Sequence, residues 1–330
     1  MSWAIRRKLQ AVDQFRSFRR LPREIQQLRL SLGRVESRLN TIEQGASVTH
    51  DLYRAEFSVF SQNGEDGVLD FLIERIPQIE RSFLEIGTDD YSECNTRFLA
   101  RHRHWSGVFV DGNRKRVEIF EREARRWELD VTPVAKFVRP DNIESLIAES
   151  GLGTSFGLLS LDIDGNDYWV LDAMKEARPA IIVVEYNSLF GPTADVSVPF
   201  HADFQRTKAH HSNLIFGVSL EAATRLLRGR GYALVHCESA GVNAFYVRSE
   251  LLPSGISERS AAEAYVPTRV RQALDEAGNL SFAPVADQLN VVSAQKVFDF
   301  RTQSLREFVE VVDTSEILAS IAGDHTSAGG

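Results

Sequence analysis

The sequence has little cysteine and lacks any long apolar run. It contains 330 residues and only two cysteines, Cys94 and Cys237. Two cysteines cannot form a disulfide framework, so we expect a reducing compartment. No apolar run approaches the roughly 18 residues that a membrane-spanning helix needs, and the N-terminus lacks the apolar core of a secretory signal. The sequence therefore predicts a cytoplasmic protein that does not cross a membrane.

Outside the N-terminal part, acidic residues outnumber basic ones. The net charge is −8, and residues 1–42 hold ten Lys/Arg and three Asp/Glu, a net +7 that leaves −15 for the rest. A protein dedicated to nucleic acid would show a basic face instead. We therefore expect no nucleic-acid partner, and we expect a basic arm on an acidic body.

Two N-terminal segments have distinct patterns. Residues 21–44 carry apolar side chains at alternating spacings of four and three, which predicts a coiled-coil helix and a homo-oligomer; a helix packed on its own domain is the alternative. Residues 1–20 form a basic amphipathic arm, which predicts either peripheral contact with an anionic membrane at the inner face of the cell or a solvated extension of the coil. The apolar residues of the coil are Leu21, Ile25, Leu28, Leu32, Val35, Leu39 and Ile42.

After a linker at 45–56, short apolar runs alternate with helical stretches over residues 57–250. Such runs are typical of strands buried on both faces of a parallel sheet. The alternation predicts an α/β fold with a doubly wound, mostly parallel sheet, closed by an antiparallel hairpin. Residues 251–330 are expected to be a mainly helical extension with a frayed tail.

In such a sheet, ligands bind beyond the carboxyl ends of the strands. The first apolar run ends at Gly87, where a missing side chain lets backbone approach a ligand. The second ends at Asp111, placed to accept hydrogen bonds from ribose hydroxyls. Because Asp89 stands where a dinucleotide fingerprint has its second glycine, we favour a nucleoside ligand without pyrophosphate, such as S-adenosylmethionine.

Acidic and amide side chains follow two further runs that should be neighbouring strands. Asp162 and Asp164 follow one run, and Glu185 and Asn187 follow the next. These oxygen ligands suit Mg²⁺ or Mn²⁺, so the sequence predicts a divalent metal site or an acid/base site, with Asp164 as a catalytic candidate. Helix capping by Asp164 and Asp167 is the competing explanation.

The segment 188–214 is long for a strand-to-helix connection. Long insertions at a ligand-binding edge often act as lids. The segment carries several acidic and histidine residues, Asp195, His201, Asp203, His210 and His211, and a histidine there could deprotonate a substrate hydroxyl. Of these, His201 is the second catalytic candidate, as a base that deprotonates a substrate hydroxyl.

Several stretches taken together resemble the FkbM-type methyltransferases, in the branch that opens with S-Q-x-G-E-D. The resemblance covers residues 61–248 and implies a class I, Rossmann-like fold that transfers a methyl group from S-adenosylmethionine to a sugar hydroxyl of a bacterial glycan or glycolipid. It also implies that Glu85, Gly87 and Asp111 contact the cofactor, and that Gln62 and Asp66 lie near its amino-acid end. The stretches are SQNGEDGVL, FLEIGTDDYSECNT, GVFVDG, VRPDNI, LLSLDIDGNDYWVL and VVEYN.

Two other function classes fit the same residues. The triplet Asp162-Ile163-Asp164 matches the D-x-D of metal-dependent sugar-nucleotide glycosyltransferases. Alternatively, the domain is a non-catalytic adaptor on a degenerate methyltransferase fold, with the coil as its working part. Cofactor binding distinguishes the three.

Overall fold

A computed structural model of the chain describes residues 24–43, 51–122 and 126–327. The predicted basic arm at 1–20, Leu21 of the coil and part of the linker lie outside these ranges. The N-terminal helix is present over 24–43 and is called α1. Within the described residues, no helix is long and apolar enough to cross a membrane.

The apolar runs of the sequence form strands close to where they were predicted. Ten strands occur in the described ranges: β1 (Ser82–Ile86), β2 (Ser106–Asp111), β3 (Val131–Ala135), β4 (Leu158–Leu161), β5 (Ile181–Glu185), β6 (Val196–Ser197), β7 (Tyr232–Cys237), β8 (Asn243–Arg248), β9 (Lys296–Asp299) and β10 (Ser304–Glu307).

Seven of these strands form the central sheet, in the order β3-β2-β1-β4-β5-β8-β7. The first five are parallel to their neighbours, and β8 is antiparallel to both β5 and β7. This arrangement confirms the predicted doubly wound, mostly parallel sheet of the class I methyltransferase, Rossmann-like kind. The chain reverses its direction of winding between β1 and β4, so the carboxyl ends of these two strands border the crevice where such sheets bind ligands.

Helices cover both faces of the sheet. The parallel strands are buried on both sides: Phe83 of β1 packs into one core cluster and Leu84 into the other. This explains why these strands read as continuous apolar runs instead of alternating ones. The remaining helices are α2 (Glu65–Arg75), α3 (Arg114–Glu121), α4 (Ile143–Ser150), α5 (Asp167–Ala173), α6 (Arg206–Ala209), α7 (Leu220–Arg228), α8 (Ala261–Ala264), α9 (Val285–Val292), α10 (Phe308–Val311) and α11 (Thr314–Ser327).

The long segment 188–214 and the C-terminal region build a small second core together. Strand β6 of that segment pairs with β9, which pairs with β10, and Phe190 packs near Phe308. The C-terminal region, predicted to be mainly helical, therefore also contains a hairpin. Its pairing partner β6 lies about 100 residues earlier in the chain, so no local pattern could reveal it.

Candidate functional site

A cavity of about 610 Å³ lies over the carboxyl ends of β1, β2 and β4. It is the place that the topology predicts for a ligand. Of the predicted site residues, six line its wall: Gln62, Glu85, Gly87, Asp111, Asp162 and Asp164. The wall also contains Glu65, Asn95, Asp89, Phe137, Phe204 and Asn243, which the sequence did not single out as site residues.

Gly87 brings β1 and β4 into close contact at the floor of the cavity. Its φ is +88°, and a Cβ on it would lie 1.4 Å from the carbonyl oxygen of Asp162. The amide of Asp162 in turn donates to the carbonyl of Ile86 at 3.0 Å. The glycine is therefore required by the packing of the two strand ends, which also places Asp162 beside the turn after β1.

Asp111 is held in place at the end of β2 by two backbone amides. Its carboxylate accepts one hydrogen bond from Asp89 N at 2.9 Å and one from Asn113 N at 2.7 Å. Each carboxylate oxygen has a further lone pair, so Asp111 can still accept hydrogen bonds from a diol in the cavity. Asp89 has a left-handed backbone, with φ 55°, and its side chain pairs with Arg116 at 2.9 Å.

Glu85 organises the loop that follows β1. Its buried carboxylate accepts hydrogen bonds from the backbone amides of Asn95 at 2.7 Å and Thr96 at 3.0 Å, and from the Thr96 hydroxyl. Burial raises the pKa of Glu85, and the hydrogen bonds from these donors counteract part of that rise. Donors of the protein itself occupy the oxygens of Glu85, so Glu85 shapes the cavity wall indirectly, by ordering residues 88–96. In this loop, the side-chain amide of Asn95 donates to the hydroxyl of Ser160 on β4 at 3.1 Å.

Asp66 shapes the loop that contains Gln62. One of its oxygens accepts from the amides of Val59, Phe60 and Ser61 at 2.7, 2.6 and 3.0 Å. Burial raises the pKa of Asp66 to about 7 in spite of these donors. Asp66 does not reach the cavity wall, whereas Gln62 does. Asp66 thus orders the loop from which Gln62 reaches the cavity, and its place near the amino-acid end of the cofactor stays a prediction.

Glu65, which directly precedes Asp66 in the S-Q-x-G-E-D motif, lines the cavity. Its carboxylate accepts from the Asn63 amide at 2.9 Å and from the side chain of Asn243, at the start of β8, at 2.8 Å. Sequence reasoning missed Glu65 and Asn243. The signal was weak: Glu65 stands inside the S-Q-x-G-E-D motif, but nothing local indicates which of its two acids faces the ligand.

Three of the four predicted metal ligands come together at the ends of β4 and β5. Ligand oxygens of Asp162, Asp164 and Glu185 all lie within 4.8 Å of one another. Burial, together with repulsion from neighbouring carboxylates, raises the pKa of both Asp162 and Glu185. One oxygen of the buried Glu185 side chain, Oε2, has no hydrogen-bond partner. Such a pair is suited to hold a shared proton or a cation.

Asp167 supports this cluster without joining it. Its buried carboxylate accepts from the amides of Ile163 and Gly165, both at 2.9 Å, and burial raises its pKa to about 6. These are loop amides, so Asp167 orders the Asp162–Asp164 turn. The capping alternative for Asp164 also differs from the structure, because its carboxylate pairs with Arg206 instead of with an amide of α5.

Arg206, in segment 188–214, is a neighbour of the acidic cluster that the sequence analysis missed. Its Nη1 lies 2.5 Å from Asp164 Oδ1, its Nε donates to the Asn213 carbonyl at 2.6 Å, and its guanidinium stacks on Phe216 at 3.6 Å. The side chain is only 11% exposed. The segment thus supplies a fixed cation to the acidic cluster, and Phe204 from the same segment packs over Gly165, where a Cβ would meet it at 2.2 Å.

The structure does not bring His201 and Asn187 into the cavity wall. His201 is exposed, and its Nδ1 accepts from the Asp203 amide at 3.3 Å. The Asn187 side chain donates to the carbonyls of Leu214 and Phe216 at 2.9 and 3.1 Å, and its oxygen accepts from Leu189 N at 3.1 Å. The two bonds that its side-chain nitrogen donates hold Asn187 against the backbone at 214 and 216, and its oxygen as a metal ligand stays a prediction.

Known structures similar to this chain are methyltransferases, at low identity. The N-terminal domain of EvdMO1 with SAH bound is 15% identical, with a TM-score of 0.37, over 56% of this chain and 79% of that chain. An O-methyltransferase from Bacillus cereus in complex with SAH is 18% identical, with a TM-score of 0.34, over 66% and 89%. A S-adenosylmethionine-dependent methyltransferase from Clostridium acetobutylicum is 11% identical, with a TM-score of 0.35, over 56% and 89%.

Neither a family model nor a curated protein matches the chain. The FkbM resemblance therefore stays a prediction. At TM-scores below 0.4 the structural likeness is weak, and the strand order of the central sheet itself establishes the fold class.

Proposed function

We propose that the protein is an S-adenosylmethionine-dependent O-methyltransferase that acts on a sugar hydroxyl of a bacterial glycan or glycolipid. The observation that carries this proposal is that one cavity joins the Gly87 turn and Asp111 to the Asp162–Asp164 turn. A nucleoside bound at Asp111 would thus lie beside a carboxylate cluster that can handle a hydroxyl proton.

The cofactor half of the cavity suits an adenosine that carries an amino acid. Asp111 would accept from the ribose hydroxyls, and Glu65 and Gln62 offer polar groups to the charged amino-acid end. The Gly87 turn contains no glycine-rich cradle, which a pyrophosphate would need and a sulfonium does not. These features favour S-adenosylmethionine over a dinucleotide.

Methyl transfer is a single displacement. The acceptor oxygen forms a bond to the methyl carbon as the carbon–sulfur bond breaks, the sulfonium becomes the neutral thioether of S-adenosylhomocysteine, and the hydroxyl proton leaves to a base. Asp162 and Glu185 have the raised pKa that such a base needs. Asp162 lines the same cavity as Asp111, so a base there would hold the acceptor oxygen near the methyl group.

A divalent cation fits the same cluster. Asp162, Asp164 and Glu185 are hard oxygen ligands, and the buried Glu185 Oε2 has no partner of its own. A bound Mg²⁺ or Mn²⁺ would lower the pKa of a coordinated hydroxyl. Arg206 already neutralises part of the charge at Asp164, so a metal would bind beside this ion pair or displace it.

Calorimetry with three ligands tests the proposal. S-adenosylhomocysteine should bind if the protein is a methyltransferase. Binding of UDP or GDP with Mn²⁺ would instead support the D-x-D glycosyltransferase, and binding of neither would support the adaptor. A screen of glycan acceptors with labelled S-adenosylmethionine would then identify the substrate.

Asp111→Ala should weaken binding of S-adenosylhomocysteine by at least about tenfold, because each hydrogen bond to a charged acceptor contributes about 1.5 kcal/mol or more. Calorimetry on the folded variant measures the change. Asp275→Ala is the matched control, because Asp275 also accepts two backbone amides, from Ala277 and Asn279 at 2.9 Å, but lies outside the cavity. Unchanged affinity in Asp111→Ala would remove Asp111 from the cofactor site.

We also propose peripheral contact between the basic arm at 1–20 and the inner face of the cell membrane. Deletion of these residues should abolish salt-sensitive cosedimentation with anionic liposomes, since screening weakens attraction between surface charges. Neutral liposomes are the control. Equal binding of full-length and truncated protein would contradict a role for the arm.

A further inference from the structure

Helix α1 is docked on the α/β domain by one face. Leu30 packs on the cluster of Val59, Phe60 and Phe98. Gly33 allows a close approach, because a Cβ there would lie 2.3 Å from Val59 Cγ2. These two contacts set how the helix is turned on the domain.

Hydrogen bonds continue the same face toward the end of α1. The buried Ser37 hydroxyl accepts from Arg103 Nη2 at 3.3 Å, and the Asn40 amide donates to the Ala55 carbonyl at 2.9 Å. Positions 30, 33, 37 and 40 follow the three-to-four spacing of a single helix face. Both the rotation and the position of α1 are thereby determined by the domain.

The opposite face of α1 is apolar and exposed. Its six residues at alternating spacings of three and four are between 44% and 75% exposed, and the described part of the chain does not cover them. An exposed apolar stripe of this kind marks an interaction surface. We call it the α1 seam: Ile25, Leu28, Leu32, Val35, Leu39 and Ile42.

The spacing of the α1 seam selects a second helix as its occupant. A repeat of 3.5 residues matches the a and d positions of a coiled coil, where each side chain inserts between four residues of the facing helix. Here Ile25, Leu32 and Leu39 occupy a positions, and the other three occupy d positions.

Charges beside the seam select a parallel copy of the same chain. In a parallel pair, each g residue faces the e residue of the next heptad on the other helix. Glu24 would face Arg29 of the second copy, and Arg38 would face Glu43 of the second copy. Both pairs are of opposite charge and each occurs twice by symmetry. In the third pair, Ser31 faces Glu36, so only one partner is charged and no like charges meet.

The contacts of α1 with its own domain offset the low stability that is expected of so short a coiled coil. Three heptads are near the minimum for an isolated coiled coil, because an unpaired helix of this length is only marginally stable in water. Here the contacts at Gly33, Ser37 and Asn40 hold α1 helical before it meets a partner. Association therefore loses less conformational entropy than it would between two free peptides.

We propose that two copies of the chain associate through their α1 seams as a parallel, two-stranded coiled coil, with the α/β domains on the outside. The proposal is independent of the proposed catalytic function.

Light scattering on the full chain at micromolar concentration tests it. Wild type should have twice the chain mass of 37.1 kDa. Leu28→Asp with Val35→Asp should have the mass of one chain, because charge in the seam would have to be buried on association. Both residues are exposed in the single chain, so the variant should keep its circular dichroism spectrum.

Leu305→Asp with Val309→Asp is the matched control. These two side chains are 56% and 57% exposed on another surface, so the control adds the same charge and should remain a dimer. A wild type with the mass of one chain would overturn the proposal. So would a dimer that survives the Leu28/Val35 change, or a monomer whose binding to anionic vesicles depends on the seam.

Disulfide trapping tests the orientation. Both natural cysteines are buried, so a new cysteine on the seam is the accessible one. Ile42→Cys alone should form a cross-linked dimer on mild oxidation, because a d residue faces its own copy in a parallel coil. Cross-linking that needs a mixture of Ile25→Cys and Ile42→Cys chains would show an antiparallel pair and overturn the proposed orientation.

Discussion

Asp164→Asn is expected to lower the methyl-transfer rate at least about 100-fold, which corresponds to about 2.7 kcal/mol of lost transition-state stabilisation. The substitution removes one charge from a cluster of three carboxylates within 4.8 Å of one another. It also replaces the ion pair between Asp164 and Arg206 by a contact with a neutral side chain, which changes the charge balance of the cluster. Single-turnover kinetics with labelled S-adenosylmethionine measure the loss.

Asparagine isolates the charge at this position because it preserves the backbone. Asp164 has a φ of 55°, and asparagine adopts this left-handed conformation at least as readily. We therefore expect the affinity for S-adenosylhomocysteine to stay nearly unchanged. Asp172→Asn is the matched control: Asp172 is also a partly exposed aspartate in an ion pair with an arginine, Arg230 at 3.1 Å, but it lies outside the cavity wall.

Chelation separates the two chemical roles of the cluster. If a metal acts there, EDTA should depress wild-type activity about as far as Asp164→Asn does, Mg²⁺ or Mn²⁺ should restore it, and the variant should bind Mn²⁺ more weakly in calorimetry. Full activity in EDTA would remove the metal from the mechanism. An inactive Asp164→Asn under that condition would assign the carboxylates to proton transfer, whereas an active one would leave Asp164 without a catalytic role.

Gly87→Ala is expected to lower the free energy of unfolding by about 4 kcal/mol or more, an unusually large effect for one methyl group. A Cβ at Gly87 would meet the carbonyl oxygen of Asp162 at 1.4 Å, and the two residues directly follow the neighbouring strands β1 and β4. Relief of the clash would move β1 away from β4. Urea denaturation measures the shift in midpoint.

Gly151→Ala controls for backbone strain alone. Gly151 has a similar φ of +75°, but nothing lies within 4 Å of its added Cβ. It should cost only about 1–2 kcal/mol, the cost of a left-handed alanine. If the two variants shifted the urea midpoint equally, the close approach of Gly87 to Asp162 would make no separate contribution to stability.

Gly87 shows where sequence reasoning succeeds and where it stops. The end of an apolar run marks a strand end, because a parallel strand that is buried on both faces consists of consecutive apolar residues. The sequence therefore located Gly87, Asp111, Asp162 and Glu185 at one edge of the sheet. The sequence could not show the distances between these residues. Position 87 needs a glycine because of the Asp162 carbonyl, which is 75 residues away in the chain.

The motif acids Glu65, Asp66 and Glu85 make the same point about side-chain direction. All three were within stretches that the sequence marked, yet Asp66 turns into its loop and Glu65 faces the cavity. The amides that hold Asp66 come from residues five to seven positions earlier, whereas Glu65 is held at the cavity by the side chain of Asn243, 178 residues away.

The sequence by itself determined the doubly wound sheet, the edge that carries the site and the 3.5-residue repeat of α1. Each of these features follows from a local repeat of apolar residues or from the end of an apolar run, and such patterns can be recognised without knowing the fold. Only the tertiary structure decided that Arg206 instead of His201 faces the carboxylates, and that α1 turns its apolar seam outward. The physical reason is that both outcomes depend on packing between distant segments: Arg206 must reach Asp164, 42 residues away, and Gly33 must fit against Val59.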